Sequence, residues 1–196
     1  MRSVRNYTDK QLLNRIEEVG GKIPNYGKYH IIGVQNRSDH FNIFDDKFYV
    51  YDGPSFRMRA FGTTNVGKTA LEHFDSYNLP GAAVWKTDMF YEDLYLPGYH
   101  KGRMKALREQ KPIYFYRDSD KDQFAEEQGE LFFDNIYANM HGVSYDPFSE
   151  TIATKINGWS FACQVWCNMS DYKNMIKAVW ERKKHVNYTL LKEFDP

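Results

Sequence analysis

His141 and Cys163 are a base and a nucleophile that could act together, although 22 residues separate them along the chain. A cysteine attacks as its thiolate, and a neighbouring imidazole can supply the base or the counter-ion. His141 ends a predicted strand, and Cys163 lies between a Gly-Trp-Ser turn and an apolar run. If both lie on neighbouring strands joined by the long loop Val143–Asn157, they can meet at a cleft. The alternative is that both are ordinary packing residues, as a lone cysteine or histidine often is.

A second pattern with possible chemistry is Gly62–Thr69, which matches the phosphate-binding sequence G-x-x-x-x-G-K-[ST]. Such a loop follows a buried parallel strand, which is almost continuously apolar. The preceding segment Phe56–Phe61 instead contains Arg57 and Arg59 in alternation, which indicates a half-exposed antiparallel strand. We therefore interpret Gly62–Thr69 as a turn between strands, and a P-loop nucleotide-binding protein is the least favoured alternative.

The composition excludes several classes of protein. The 196 residues contain 26 Lys and Arg against 26 Asp and Glu, so the net charge is zero. This balance argues against a dedicated nucleic-acid binder and against an acidic disordered chain. The mean hydropathy of −0.69 predicts no membrane span. Cys163 and Cys167 would lie roughly 13 Å apart on a strand, which is too far for a disulfide.

The elements that must position these residues are predicted to be mainly strands. Aromatic residues make up 17% of the chain, which favours β structure. Short apolar runs between turn residues predict strands at Tyr29–Val34, Lys47–Tyr51, Arg57–Phe61, Ala82–Trp85, Ile113–Arg117, Asn135–His141 and Val186–Leu191. A capping box at Thr8–Gln11 predicts a helix over residues 8–19, and Ser170 is the predicted cap of a helix over 170–182. We predict one mainly β (α+β) domain over residues 1–196, with peripheral helices at both ends.

The residues around the His–Cys pair resemble the catalytic segment of the L,D-transpeptidases, cysteine enzymes of peptidoglycan. That family's motif is a histidine, a variable loop, and then Ser/Thr-His-Gly-Cys with an arginine two residues further on. His141 corresponds to the first histidine, Ser160 to the serine and Cys163 to the nucleophile.

The chain departs from that motif where Phe161, Ala162 and Val165 replace His, Gly and Arg. It is more similar to a divergent branch from tailed bacteriophages, with the signature Gly-x-Trp-Ser-x-Gly-Cys-Gln-Val. That branch also carries segments that correspond here to Gly62–Asn65, His100–Met104 and Tyr116–Asp118. The resemblance spans nearly the whole chain and implies an L,D-transpeptidase-like β-sandwich or mixed-sheet domain.

The resemblance also implies acyl transfer on peptidoglycan stem peptides. Cys163 would attack a peptide carbonyl, and His141 would activate the thiol and then protonate the leaving amine. The carbonyl of Gly142 could fix the His141 tautomer, and backbone N–H groups near Ala162, with Ser160 in support, would form the oxyanion hole. The residues expected to hold the stem peptide are Trp159, Tyr145, His100, Tyr99 and Arg117.

The expected partner is a bacterial peptidoglycan peptide, and no cofactor, metal, nucleic acid or membrane span is predicted. The N-terminus has no apolar signal segment, so we expect synthesis in the host cytoplasm. Action at the wall would follow release, or the protein would be a virion component. This setting favours a phage lytic hydrolase over cross-linking or exchange by L,D-transpeptidation. A non-catalytic structural or wall-binding module stays open, and the enzyme hypothesis predicts a pKa of Cys163 below the free value of about 8.5.

Overall fold

The computed structural model describes residues 3–22, 24–38, 40 and 42–195. Its helices are α1 (Asp9–Glu18), α2 (Lys68–His73) and α3 (Met169–Arg182), and a 3-10 turn at Phe74–Tyr77 follows α2. Its strands are β1 (His30–Gln35), β2 (Asp46–Tyr51), β3 (Phe56–Thr63), β4 (Ala82–Trp85), β5 (Met89–His100), β6 (Met104–Glu109), β7 (Ile113–Asp118), β8 (Phe132–Asp134), β9 (Met140–His141), β10 (Gln164–Trp166) and β11 (Val186–Lys192).

Eight of these strands form a closed barrel in the order β1-β11-β5-β6-β9-β10-β3-β2. The pairs β1–β11 and β9–β10 are parallel and the other pairs are antiparallel, so the sheet is mixed. A separate three-stranded sheet has the order β4-β7-β8. The prediction of a mainly β fold is confirmed, and its architecture is a closed barrel with a small second sheet.

The first two strands are buried on both faces, because a helix covers the outside of the barrel there. Ile31 and Phe48 belong to the main core, whereas their neighbours Ile32 and Tyr49 pack in a second cluster with Leu12 and other residues of α1. Alternation along a strand sends successive side chains to opposite faces, so each strand serves both clusters. The capping box predicted for α1 is present.

Two of the predicted element boundaries need correction. The predicted strand Asn135–His141 is a strand only at Met140–His141, because the N–H groups of Ile136 and Ala138 donate to the carboxylate of Glu109 instead of a neighbouring strand. The predicted cap Ser170 lies inside α3. Asn168 caps this helix by accepting from the backbone N–H groups of Ser170 and Asp171.

Gly62 allows β3 to approach β10 closely. A Cβ at this position would lie 2.5 Å from the carbonyl oxygen of Val165 and would also overlap the ring of Phe48. We expect Gly62→Ala to lower the free energy of unfolding by about 2 to 3 kcal/mol, measured by urea denaturation.

The matched control is Gly158→Ala, whose new Cβ would meet its nearest neighbour, Thr69 Oγ1, at 3.5 Å, an ordinary contact. The control should change stability by less than about 0.5 kcal/mol. Equal effects of the two substitutions would contradict the close approach of β3 and β10.

Candidate active site

The parallel pairing of β9 and β10 brings His141 and Cys163 together. Gln164 pairs with Met140 and Val165 pairs with His141, so the residue just before β10 lies beside the histidine. His100, the last residue of β5, joins them. One ligating atom from each of the three side chains lies within 4.8 Å of the other two.

A backbone carbonyl determines the tautomer of His141. Its Nδ1 lies 2.7 Å from the oxygen of Gly142, and because a carbonyl only accepts, Nδ1 carries the proton. Nε2 is therefore the unprotonated nitrogen, and it has no hydrogen-bond partner among the described residues. The ring thus offers a free lone pair, as a general base requires.

The tautomer of His100 is determined through Asn139. The side-chain oxygen of Asn139 accepts from the backbone N–H of Glu109 at 3.3 Å, which leaves its amide nitrogen to donate to His100 Nδ1 at 3.2 Å. A neutral His100 therefore carries its proton on Nε2. The rings of His100 and His141 lie in contact, with centroids 4.2 Å apart and planes tilted by 31°.

Burial keeps the three groups neutral. It raises the pKa of Cys163 to about 12, against a smaller lowering effect of the Asn139 backbone. It lowers the pKa of His141 to about 3, with the nearby His100 contributing, and that of His100 to about 4. The pKa of Cys163 thus moves opposite to the predicted direction, because loss of water around the sulfur penalises the thiolate more than the neutral imidazole can compensate.

The segment before β10 is held by side chains that bond to its carbonyl groups. Ser160 donates its hydroxyl to the carbonyl of Cys163 at 2.8 Å, and the Trp85 indole donates to the carbonyl of Ala162 at 2.8 Å. The backbone N–H groups of Ala162 and Cys163 have no acceptor in the described part of the chain. Two backbone donors of the cysteine-bearing segment are therefore not used within the described part of the protein and are available to a ligand.

A cavity of about 570 Å³ lies against Cys163. Four of the residues predicted to contact substrate line it, namely Trp159, Tyr145, His100 and Tyr99. The ring centroids of Tyr145 and Trp159 are 5.6 Å apart, so the two side chains form one aromatic wall.

The remaining predicted substrate contact, Arg117, is not among the lining residues. It lies in β7 of the small sheet and donates to the carbonyl of Gly81 at 3.1 Å. The cations that do line the cavity are Lys101 and Arg108, neither of which was predicted to contact substrate. Lys101 follows His100 directly, so its adjacency to a candidate site residue was the available signal.

The Gly62–Thr69 segment supports the cysteine-bearing segment. The N–H of Gly67 donates to the carbonyl of Ser160 at 2.9 Å, and the N–H of Thr69 donates to the carbonyl of Asn157 at 3.3 Å. A Cβ on Gly67 would overlap the Asn157 carbonyl. Backbone donors that a phosphate would need are thus already used within the protein, and the preceding β3 is antiparallel to both neighbours.

His100, His141 and Cys163 are also potential metal ligands, although no metal site was predicted from the sequence. A cysteine with two histidines suits zinc or copper, and the hydrogen bond from His141 Nδ1 to a carbonyl is typical of metal-binding histidines. His100 fits less well, because Asn139 donates to its Nδ1 and its Nε2 therefore carries the proton. The arrangement is better suited to a thiol and base than to a metal ion.

Comparisons with protein-family models, curated protein sequences and solved structures found no match to this chain. None of the helices in the described ranges has the length and apolar character required to cross a membrane.

The two cysteines are expected to differ in reactivity because their access differs. Cys163 lines the cavity, whereas the thiol of Cys167 donates to the Phe61 carbonyl at 3.4 Å and is not among the lining residues. Burial raises the pKa of Cys163 to about 12 and that of Cys167 to about 11. Iodoacetamide should therefore modify Cys163 first, but more slowly at pH 7.5 than it modifies free cysteine.

The rate at Cys163 should rise about tenfold per pH unit toward pH 10, because a raised pKa leaves little thiolate at neutral pH. Peptide mapping by mass spectrometry measures both rates. If Cys167 were modified first, the difference in access between the two thiols would be contradicted. If Cys163 reacted at pH 7 faster than free cysteine, its raised pKa would be contradicted.

Proposed function

We propose that the protein is a cysteine-dependent acyl-transfer enzyme acting on peptidoglycan stem peptides, with hydrolysis as its main reaction. The observation that carries the proposal is an imidazole whose tautomer is set by the Gly142 carbonyl, whose Nε2 has no hydrogen-bond partner among the described residues, and one of whose ring nitrogens lies within 4.8 Å of the sulfur of a cysteine at the wall of a cleft. The barrel provides this pair through two parallel neighbouring strands.

The resting neutrality of the pair favours general-base catalysis over a preformed ion pair. Cys163 Sγ attacks the carbonyl carbon of the scissile amide while its proton moves to His141 Nε2. The negative charge that develops on the carbonyl oxygen is met by the N–H groups of Ala162 and Cys163. The His141 imidazolium then gives its proton to the leaving amine, and a thioester to Cys163 remains.

The second half of the reaction uses the same groups. His141 Nε2 removes a proton from water, the resulting hydroxide adds to the thioester carbonyl, and the thiolate leaves and regains the proton from His141. An amine in place of water would give cross-linking or exchange. His100, whose ring lies beside that of His141, remains neutral while its neighbour carries the proton, because burial lowers its own pKa.

The substrate class rests on the resemblance to the L,D-transpeptidases, and the proposal includes an L,D-transpeptidase-like domain. The positions that match the motif, His141, Ser160 and Cys163, lie together in the structure. The proposed setting is a phage-encoded lytic enzyme that is made in the host cytoplasm and acts at the bacterial wall, or a virion component with the same target.

One observation favours a different function. Burial raises the pKa of Cys163 and leaves only 8% of the residue exposed, as in an inert structural cysteine. The second candidate is therefore a non-catalytic phage module that binds wall peptides in the same cleft.

Mass spectrometry of muropeptides incubated with the protein tests the proposal. We expect cleavage products that gain one water, a loss of activity of about 10³-fold or more in Cys163→Ala, and a similar loss in His141→Gln. Cys167→Ala is the matched control and should retain activity, because Cys167 does not line the cleft. Incorporation of added D-methionine would indicate exchange instead of hydrolysis. Muropeptide binding with no new product would support the wall-binding module.

The lowered pKa of His141 predicts an unusual pH profile. The base must be neutral to act, and with a pKa of about 3 it stays neutral well below the pH at which a free histidine is protonated. Activity at pH 5 should lie within about twofold of that at pH 7, whereas an enzyme with an ordinary imidazole base would lose about 25-fold.

Circular dichroism at both pH values is the necessary control, because burial raises the pKa of Asp46 to about 7 and this group titrates in the same range. An acid limb near pH 6.5 with an intact fold would show that His141 is solvated, which would contradict the neutral-pair mechanism.

A further inference from the structure

A second cavity continues the candidate active-site cleft. It has a volume of about 440 Å³, and it shares Tyr99 and Tyr145 with the cavity at Cys163. We name it the basic groove and define it by its cations Arg103, Lys105, Lys173 and Lys177 and its floor residues Met104 and Ile176. A peptide bound at Cys163 could therefore extend past the shared tyrosines into this groove.

The basic groove concentrates positive charge in a chain whose net charge is zero. None of its lining residues is an aspartate or glutamate. Among the described residues, no carboxylate pairs with any of its four cations, whereas some cations elsewhere do have a carboxylate partner, as Arg182 has Asp52 and Lys121 has Asp75.

The acidic residues closest along the chain, which include Glu181 one helical turn beyond Lys177, form no ion pair with the groove cations among the described residues. Asp146 precedes a lining residue, Pro147, but its carboxylate accepts the backbone N–H of Phe148 at 2.9 Å. Asp171 is half-buried in the first turn of α3 and is not a lining residue.

Aromatic rings hold two of these cations in place. The guanidinium of Arg103 lies 4.4 Å from the ring centre of Tyr145, and the ammonium of Lys105 lies 5.1 Å from that of Trp180. Lys173 and Lys177 are one helical turn apart on α3, so their side chains lie on the same face of the helix. These cations thus line the groove together with the buried apolar side chains of Met104 and Ile176.

We propose that the basic groove binds a carboxylate-bearing, extended peptide segment of the substrate processed at Cys163. This inference rests on the proposed function for its substrate, but the binding site is separate from the His–Cys pair. The apolar floor contacts the aliphatic parts of the peptide, and the lysine and arginine side chains pair with its carboxylates. A phosphate polymer fits less well, because its charged backbone has no apolar groups to pack against the buried floor residues Met104 and Ile176.

Fluorescence polarisation with Cys163→Ala protein, which cannot form the thioester, tests the groove. The probes are a labelled stem tetrapeptide with free carboxylates and the same peptide with those carboxylates converted to carboxamides. Lys173→Gln/Lys177→Gln should weaken binding of the first probe about five- to tenfold and leave the second unchanged, because glutamine keeps most of the apolar stem and removes the charge. Raising the salt concentration should weaken only the first interaction.

The matched control is Lys183→Gln/Lys184→Gln, which removes the same charge beyond the C-terminal end of α3, where neither lysine lines the groove. Equal weakening by both double substitutions would overturn the proposal in favour of a general charge effect. A short oligonucleotide or polyphosphate that binds more tightly than the acidic peptide would also overturn it.

The experiments distinguish a wrong assignment of the basic groove as a peptide-binding site from a wrong assignment of the enzymatic function. Muropeptide turnover with a KM that Lys173→Gln/Lys177→Gln does not change would refute the groove alone. Charge-dependent peptide binding without any turnover by the unmodified protein would refute the enzyme and retain the groove.

Discussion

The pairing of β9 with β10 is the constraint on which the candidate site depends, because it alone brings His141 beside the residue that precedes β10. These strands have two and three residues, too few to persist by their own hydrogen bonds. They exist because the barrel closes around them, with β6 on one side and β3 on the other. Substitutions that open the barrel at β3 should therefore disturb the site before they disturb the rest of the core.

Burial determines the electrostatics of the site in two ways. The same loss of water raises the pKa of Cys163 and lowers that of His141, so the resting pair carries no charge. Charge appears only when a substrate carbonyl accepts the sulfur, and the low polarity that disfavoured the thiolate then strengthens the hydrogen bonds to the oxyanion. His100 cannot hold a second proton while the ring of His141, whose centroid is 4.2 Å away, is an imidazolium, so the two histidines together carry at most one positive charge.

The elements that could be predicted from the sequence are those whose bounds depend on interactions between residues close along the chain. The capping box of α1 and the bounds of β4 were predicted directly. The long strand β5 was missed, because Pro97 and Gly98 interrupt its alternation and only its pairing with β6 and β11 makes it a strand. For the same reason the sequence named His100 as a substrate contact but could not place it against His141: that contact depends on which strands are neighbours in the barrel.

The segment Gly62–Thr69 has the sequence of a phosphate-binding loop, but its backbone hydrogen bonds are made within the protein. Its glycines fit a phosphate loop because such loops require close backbone approach, and here the close approach serves a neighbouring part of the same chain. Gly62 lies against Val165, and Gly67 lies against Asn157 and donates to Ser160. The donors that would have bound phosphate instead fix the segment leading to Cys163, so the residues that resemble a nucleotide site contribute to positioning the cysteine.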